Sequence, residues 1–213
     1  MDDRTTDLTE LNVLAEAPPR VPGEFKDSKF VFLANTAPAL QQELLEQIDQ
    51  PEFVAVDTMN LWIDNNLDDL KALLKKIDCL LINEDEARML AGQSNLIKAG
   101  EIILNMGPSV VILKKGESGS IMCNASGDKF ILPAYPATEV KDPTGAGDSF
   151  AGGFMGCLAQ SGKADSETLK KAIAYGTVVA SFSIADFSLS GLTSIDRADI
   201  DRRFETLRKF TTF

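Results

Sequence analysis

The sequence predicts an α/β domain whose sheet is mostly parallel and is covered by helices on both faces. Short runs that are apolar throughout alternate with amphipathic stretches along much of the chain, which is typical of strands that alternate with crossover helices. Strands that are apolar on both faces belong inside a sheet with helices on each side. At 213 residues the chain is also long enough to form one large domain with a real core.

The individual elements are expected in the following order. Strands are predicted at residues 30–34, 53–57, 79–83 and 110–115, and helices between them at residues 40–48, 67–74, 84–90 and 96–104. The pattern then changes to two short strands at residues 120–124 and 129–132 around a polar turn, so we expect a hairpin that forms an antiparallel edge. The remaining helices are predicted at residues 147–160, 167–183 and 197–209.

Residues 1–24 differ in character from the rest of the chain. Pro18, Pro19 and Pro22 close a mixed segment that also contains apolar residues, which indicates a strand or arm that packs on another part of a fold. We therefore predict a residual arm at residues 1–24 and a single α/β domain at residues 25–213.

The composition excludes several functional classes. The chain has no histidine, which excludes Ser-His-Asp triads, Cys-His nucleophiles and histidine metal sites. Its net charge of −11 repels nucleic acid and anionic membranes, so a phosphate-bearing ligand must be held by local dipoles, a few lysines or a metal. Three widely spaced cysteines, short apolar runs and the lack of a secretory signal together favour a cytoplasmic protein that binds neither nucleic acid nor membrane.

The most informative stretch lies at residues 141–154. Gly145, Ala146 and Gly147 come directly before a helical repeat, so they place unpaired backbone amides at a helix N-terminus, where the amides and the macrodipole both favour an anion. Asp148 lies in the same first turn, where its carboxylate would repel a bound phosphate. It is either a base for phosphoryl transfer to a hydroxyl group or, as an isolated aspartate usually is, a charge that complements the helix dipole.

The string Asp-Pro-Thr-Gly-Ala-Gly-Asp-Ser-Phe at residues 142–150 closely resembles the C-terminal signature of the PfkB/ribokinase-type carbohydrate kinase family, and the match continues through residues 151–154. The resemblance implies that Asp148 is the base that activates the substrate hydroxyl and that the amides of residues 145–147 stabilise the transferring phosphoryl group. It also implies that Thr144 helps to bind the nucleotide. Asp142 is a candidate ligand of a monovalent cation (K⁺) beside this loop.

A second block, Asn-Glu-Asp-Glu at residues 83–86, resembles the family's Asn-x-x-Glu element. The resemblance implies that Asn83 lies near the nucleotide phosphates and that Glu86 helps to organise Mg²⁺ through water. Magnesium favours oxygen ligands and keeps several waters, so a site without histidine is chemically reasonable. The alternative is that the acidic residues simply occupy the first turn of a helix.

A third block at residues 111–119 resembles the strand and turn that border the family's nucleotide site. Lys114 and Gly116 occupy positions whose family counterparts contact ATP, although many relatives have a small hydroxylated residue in place of Lys114. For Glu117 and Ser118, a solvated hairpin turn is an equally good interpretation.

The resemblance as a whole implies a ribokinase-like three-layer α/β/α fold and an ATP-dependent, Mg²⁺-using kinase. Its substrate would be a hydroxyl group of a sugar, a nucleoside or a similar small metabolite. ADP or pyrophosphate remains open as an alternative donor.

The match covers about residues 8–195 but begins partway into the family pattern, so most of the small lid sheet is expected to be missing. Without a lid, water is poorly excluded and the acceptor hydroxyl is poorly fixed. The alternative function is therefore a non-catalytic nucleotide-binding remnant that serves as a subunit or regulatory module. A sheet without its first strands would also expose an edge that allows a homodimer.

Two further features have plain structural interpretations. Gly152, Gly153 and Gly156, together with Ser149, form a small-residue stripe that would let a neighbouring helix pack closely. Asp57 follows a strand at the end where open sheets bind ligands, but capping of a loop is at least as good an interpretation.

Overall fold

The computed structural model describes residues 12–15 and 17–212. Within them, six strands form one sheet in the order of the chain. The strands are β1 (Phe30–Leu33), β2 (Phe53–Asp57), β3 (Cys79–Asn83), β4 (Val110–Lys114), β5 (Ser120–Asn124) and β6 (Lys129–Leu132). β1 to β4 are parallel, whereas β5 and β6 form an antiparallel hairpin on β4. The predicted sheet is therefore confirmed, including its antiparallel edge.

The α-helices of the described residues include every helix that the sequence predicts, with ends shifted by a few positions. They are α1 (Pro38–Leu45), α2 (Asn60–Asn65), α3 (Leu67–Leu74), α4 (Glu84–Ala91), α5 (Leu96–Leu104), α6 (Ala146–Ser161), α7 (Ser166–Ser183), α8 (Ser190–Thr193) and α9 (Arg197–Thr211). The sequence did not predict α2 or α8, because helices this short contain no apolar repeat. None of the helices in the described ranges is both long and apolar enough to cross a bilayer.

The strands divide their side chains between two cores. On β2, Ala55 packs into the core beneath α6, α7 and α9, while Val54 and Val56 pack into the opposite core, which α1, α3, α4 and α5 cover. This alternation is the period of two that a strand imposes on its side chains. The fold is thus a three-layer α/β/α arrangement, as predicted.

α6 and α7 pack closely because glycine lies on both sides of their contact. A Cβ atom on Gly153 would lie 2.9 Å from a carbonyl oxygen of α7, and one on Gly176 would lie 2.7 Å from a carbonyl oxygen of α6. The predicted helix-packing stripe is therefore confirmed at Gly153 but is wrong for Gly152 and Gly156. Cβ atoms on those two would meet no atom within 4 Å, because both residues line an open groove of about 280 Å³ between α6, α7 and α9.

The predicted arm at residues 1–24 falls in part on residues 1–11 and 16, which lie outside the described residues. The described part lies along the end of α1. Gln47 accepts a hydrogen bond from the amide of Val21 at 3.0 Å and donates one to the carbonyl oxygen of Pro19 at 3.2 Å. The division into an arm and one domain stays a prediction.

β1 and β6 are the edge strands of the sheet as far as the structure describes it. Phe30 and Phe32 of β1 are half-buried against the α6 side of the sheet. An edge strand presents unpaired backbone groups that another strand can bind, and on this ground the homodimer remains a prediction.

Candidate active site

Three parallel strands end in polar residues that face the same side of the sheet. Asp57 ends β2, Asn83 ends β3 and Lys114 ends β4. In each strand, the residue two positions earlier belongs to the core beneath α6 and α7. Because side chains alternate along a strand, all three polar side chains point towards α6. They form a polar row at the carboxyl edge of the sheet, where open α/β sheets bind their ligands.

The N-terminus of α6 lies above this row and carries no side-chain cap among the described residues. Gly145 is the N-cap residue and has a left-handed backbone with φ of 77°, a conformation that glycine adopts without strain. The amide of Ala146 donates to the carbonyl oxygen of Pro143 at 3.1 Å, and the amide of Ser149 makes the first helical bond, to Gly145, at 2.9 Å. The amides of residues 147 and 148 therefore precede the helical ladder.

The first turn of α6 is open on its outer side and faces Lys114 on its inner side. A Cβ atom on Gly145 would meet no atom within 4 Å, whereas one on Gly147 would lie 3.3 Å from Lys114 Nζ. Asp148 is exposed. A side chain at position 147 would thus fill the space between the helix amides and the lysine ammonium.

The loop that leads into α6 is fixed to the end of α7. The amides of Lys141 and Asp142 both donate to the carbonyl oxygen of Ile184, at 2.9 and 3.4 Å, and Lys141 Nζ pairs with Asp186 at 3.1 Å. Asp142 Oδ1 accepts the amide of Thr144 at 2.9 Å, which tightens the turn before Gly145. Thr144 itself is exposed at the start of the turn.

Lys114 forms a buried ion pair with Asp57. Its Nζ lies 3.2 Å from both carboxylate oxygens, and the exposed fractions of the two side chains are 19% and 9%. Burial raises the pKa of the Asp57 carboxyl, Lys114 and the Thr58 amide oppose this shift, and the nearby charge of Asp148 adds to it. The sequence had left Asp57 between loop capping and ligand binding, and its position at the carboxyl end of a buried strand was the signal that favoured a site.

Glu86 and Asn83 form a reciprocal capping box at the start of α4. The amide of Glu86 donates to Asn83 Oδ1 at 2.8 Å, and the amide of Asn83 donates to Glu86 Oε2 at 3.1 Å. The structural alternative from the sequence, an acidic first turn, is therefore present. Burial raises the pKa of the Glu86 carboxyl, while its bonds to Asn83 and the charge of Lys114 lower it and the charge of Asp57 raises it. Glu86 therefore also belongs to the electrostatic environment of the polar row.

These contacts define one group, the Lys114 cluster, which consists of Lys114, Asp57, Glu86 and Asp148. Lys114 is ion-paired with Asp57 and interacts electrostatically with Glu86. Asp148 interacts electrostatically with Asp57, and the ammonium group of Lys114 faces the first turn of α6. Such a cluster suits a ligand that carries both phosphate and a divalent cation, because the ammonium attracts the phosphate and the carboxylates attract the cation.

The donor atoms fit a magnesium ion that is held largely by its ligand. In the described ranges, no three or more Asp, Glu or Cys side chains are grouped closely enough to hold a metal by themselves. Magnesium usually keeps several waters and is bound through one or two carboxylates together with substrate phosphates. Glu86 uses Oε2 in the cap of α4, which leaves Oε1 outside that bond.

Gly116 begins the turn that follows Lys114. It has a φ of 54°, and a Cβ atom there would meet no atom within 4 Å, so its backbone is accessible to a ligand. Glu117 and Ser118 are exposed in the same turn. Ser120 pairs directly with Lys114 across β4 and β5.

The structure thus brings together most of the residues that the sequence singled out. Asn83, Glu86, Lys114 and Asp148 meet around the N-terminus of α6, with Gly145, Ala146 and Gly147 forming its first turn. Thr144 and Gly116 adjoin them along the chain, whereas Asp142 lies in the loop held by α7.

The fold and this site first define a class, a three-layer α/β protein with bare helix amides above the carboxyl edge of its sheet. Comparison with family models then gives the particular family, since residues 12–194 match the pfkB family of carbohydrate kinases. The chain belongs to this family, which confirms the resemblance seen in its sequence.

Two relatives show how far the likeness extends. The chain is 31% identical over 139 residues to the cytidine kinase of Thermococcus kodakarensis, which covers 63% of this chain and 49% of that protein. It is 34% identical over 115 residues to the ATP-dependent 6-phosphofructokinase of Thermoanaerobacterium thermosaccharolyticum, which covers 54% of this chain and 34% of that protein. The chain therefore spans about half the length, or less, of these curated relatives.

Solved structures show the same fold. The nucleoside kinase of Methanocaldococcus jannaschii, a ribokinase-family member, matches with a TM-score of 0.70 and 21% identity, over 91% of this chain and 60% of that chain. The aminoimidazole riboside kinase of Salmonella enterica matches with a TM-score of 0.69 and 18% identity, over 84% of this chain and 63% of that chain. At these identities the likeness shows the fold alone, which is ribokinase-like.

Proposed function

We propose that the chain carries the phosphoryl-transfer site of an ATP-dependent kinase, which acts on a hydroxyl group of a sugar, a nucleoside or a similar small metabolite. The observation that carries this proposal is the first turn of α6, where exposed Asp148 adjoins uncapped amides that face Lys114. Among the described helices, α4 and α7 begin with side-chain caps from Asn83 and Asp165, whereas α1, α2 and α3 begin without one, as α6 does. The missing cap alone does not distinguish α6, but the lysine ammonium that faces its glycine-rich first turn does.

The transferring phosphoryl group would bind at the amides of residues 145–147 and at Lys114. Backbone amides at a helix N-terminus favour an anion, and their effect increases as negative charge develops in the transition state. The amide of Ala146 already donates within the loop, so the amides of residues 147 and 148 offer the least hindered hydrogen bonds. The glycine at position 147 leaves room for the phosphate between these amides and the ammonium group.

Asp148 would act as the base. Its carboxylate accepts the proton of the acceptor hydroxyl while the hydroxyl oxygen forms a bond to the γ-phosphorus, and the bond from that phosphorus to the bridging oxygen breaks so that ADP leaves. The side chain is exposed at the mouth of the site, where a sugar hydroxyl can approach it.

The nucleotide would extend from the first turn of α6 along the carboxyl edge of the sheet. Asn83, whose Nδ2 is not used in the cap of α4, and Thr144 would contact its phosphates, and the accessible backbone of Gly116 would border the nucleoside. Mg²⁺, when bound, would neutralise charge on the phosphates, with Glu86 organising it through water. Asp142 would contribute to a monovalent cation site, such as one for K⁺, beside the loop.

A decisive test is the Asp148→Asn variant in an assay of ATP consumption with cytidine, adenosine, ribose and fructose as acceptors. We expect the loss of the base to slow transfer by about 10²- to 10⁴-fold, while calorimetry shows Mg-ATP affinity close to that of the wild type. Transfer at the wild-type rate would show that Asp148 is not the base.

The matched control is Asp69→Asn. Asp69 is also an exposed aspartate at the third position of a helix, α3, which lies on the opposite face of the sheet. Both substitutions remove a favourable charge from a first turn and should lower stability by similar small amounts, about 0.3–1 kcal/mol. If Asp69→Asn slowed transfer as much as Asp148→Asn, the role of the latter would be structural.

The alternative function is a nucleotide-binding module without turnover. Calorimetric binding of Mg-ATP with no consumption on any acceptor would favour this module, whereas turnover on one acceptor would identify the kinase.

A further inference from the structure

Asp57 takes no part in the transfer scheme above, yet it is the ion-pair partner of Lys114. Both carboxylate oxygens lie 3.2 Å from Lys114 Nζ, and only 9% of the Asp57 side chain is exposed. The residue is held in place from the backbone side as well, because the amide of Thr58 donates to Oδ1 at 2.9 Å and Gln41 donates to its carbonyl oxygen at 3.1 Å. The Asp57 carboxylate is therefore held in place, and its ion pair restricts the position of the flexible Lys114 side chain.

Stability alone does not account for this pair. The cost of removing two charges from water commonly equals or exceeds their mutual attraction, so apolar residues at such positions are often equally stable. The pair also adds a third carboxylate to a region that already holds Glu86 and Asp148, both of which interact with it electrostatically. Placing carboxylates close together raises the electrostatic energy of the folded state. Such arrangements are commonly found where a protein binds a ligand, so this one points to a role in ligand binding.

Two buried hydroxyl groups belong to residues next to the pair, one along the chain and one across the sheet. Thr58 follows Asp57 on the chain, and Ser120 lies opposite Lys114 in the sheet. Each is 4% exposed, and in the described part of the chain neither hydroxyl oxygen has a hydrogen-bond partner. Buried polar groups are normally satisfied, so the surroundings of the pair hold hydrogen-bonding capacity that the fold itself does not use.

We propose that Asp57 is a positioning residue, which holds Lys114 Nζ at the first turn of α6 and limits how tightly the site binds a terminal phosphate. This inference rests on the proposed function, because it assumes that a nucleotide γ-phosphate binds at that turn. The ammonium group is kept in place before the nucleotide arrives, and the carboxylate behind it weakens the attraction for the phosphate that must later leave the enzyme. Lys114 contacts the γ-phosphate, and Asp57 affects the binding of that phosphate only through Lys114.

The test compares the affinities for Mg-AMP-PNP and Mg-ADP, measured by calorimetry on the full chain. The ratio of the two affinities reports the γ-phosphate and is insensitive to a general loss of binding. Asp57→Asn keeps an oxygen acceptor for the Thr58 amide but removes the charge, so we expect the preference for AMP-PNP over ADP to rise at least about fivefold. A structural role for Asp57 would leave the ratio unchanged or weaken both ligands equally. Either of these results, or a fall in the preference for AMP-PNP, would overturn the inference.

The double variant Asp57→Asn/Lys114→Met keeps the proposal falsifiable if the single variant does not fold, because it leaves no unpaired buried charge. We expect it to lose the preference for AMP-PNP by at least about fivefold relative to the wild type. If the double variant kept the wild-type ratio of the AMP-PNP and ADP affinities, the pair would have no role in binding the γ-phosphate.

Asp78→Asn is the control, since it changes a half-buried aspartate at the opposite edge of the sheet, and it should leave the ratio at the wild-type value. An equal rise in the preference for AMP-PNP in this control would show that any loss of negative charge has the same effect, and it would overturn the inference. If the wild type bound neither nucleotide, both the proposed function and the inference about Asp57 would fail. If the wild type bound both and only the variants failed to shift the ratio, the inference alone would fail.

Discussion

The two edges of the sheet use their aspartates in opposite ways. At the amino edge, Asp78 precedes β3 and its carboxylate binds the backbone, since Oδ2 accepts a hydrogen bond from the amide of Val54 at 2.8 Å. Its carbonyl oxygen accepts the amide of Val110 at 2.9 Å and the hydroxyl of Ser109 at 3.1 Å. At the carboxyl edge, Asp57 directs both oxygens at a lysine side chain. Polar groups thus complete the sheet at one edge and face one another at the other, which is how a fold keeps charge available for a ligand.

The largest effect that separates the two edges is expected from Lys114→Met. The substitution leaves Asp57 buried without its partner, which should lower the free energy of unfolding by about 3–5 kcal/mol. Adding Asp57→Asn should recover most of this loss, since the remaining side chains carry no charge. Urea denaturation of the two variants measures both values, and equal losses in them would contradict the buried pair.

A smaller effect is expected at the amino edge from Asp78→Ala. The amide of Val54 loses its acceptor, which should cost about 1–3 kcal/mol of stability. Nucleotide affinity measured on the folded protein should not change, because the hydrogen bonds of Asp78 with Val54, Ser109 and Val110 lie at the amino edge, away from the proposed nucleotide site. A marked loss of Mg-ADP binding would show that the two edges are not separate in function.

A third comparison sets two glycines of α6 against each other. Gly147→Ala places a methyl group 3.3 Å from Lys114 Nζ, where the phosphate is proposed to bind, so Mg-ATP affinity should fall by about tenfold or more. Gly152→Ala is the control, because its methyl group meets no atom within 4 Å. It should stabilise the helix by up to about 1 kcal/mol without altering affinity. Equal affinities in the two variants would remove position 147 from the site.

The smallest effect concerns pH. Burial raises the pKa of the Glu86 carboxyl above its ordinary 4.5, so the folded state binds its proton more tightly than the unfolded state. Its contribution to stability is therefore present at low pH and is lost as the pH rises above that value. Glu86→Gln removes the titration but keeps a side chain that can complete the capping box.

We expect the free energy of unfolding of the wild type, minus that of Glu86→Gln, to fall by less than about 1 kcal/mol as the pH rises from about 4 to about 7. Urea denaturation at several pH values measures this difference. A difference that stays constant or rises with pH would contradict the raised pKa.

Much of the fold was predictable from the sequence because it depends on local patterns. Buried strands show continuous apolar runs, the long helices show apolar repeats, and the hairpin is marked by a polar turn. α2 was missed because its six residues bury only Trp62 and Ile63, which is too few for a period to appear. The groove beside Gly152 and Gly156 was missed because composition does not reveal which face of a helix is covered.

The site was predictable where it rests on a contiguous motif and not where it rests on register. The string that contains Asp148 is visible in the sequence, and so is the pair Asn83 and Glu86. Asp57 and Lys114 lie 57 positions apart, and they meet because β2, β3 and β4 are adjacent in the sheet and end at the same edge. The position of Asp57 at a strand end makes it a candidate from the sequence, but no local pattern predicts its pairing with Lys114, which could be recognised only once the strand order was known.

The carbonyl oxygen of Ile184 has a consequence for the geometry of the whole site. It receives the amides of Lys141 and Asp142, so the stretch that enters α6 is tied to the far end of α7. The orientation of the first turn of α6 is thereby coupled to the backbone of a residue that bears no charge. Any ligand or neighbouring molecule that displaced the end of α7 would therefore reorient the amides at the start of α6 without contacting them.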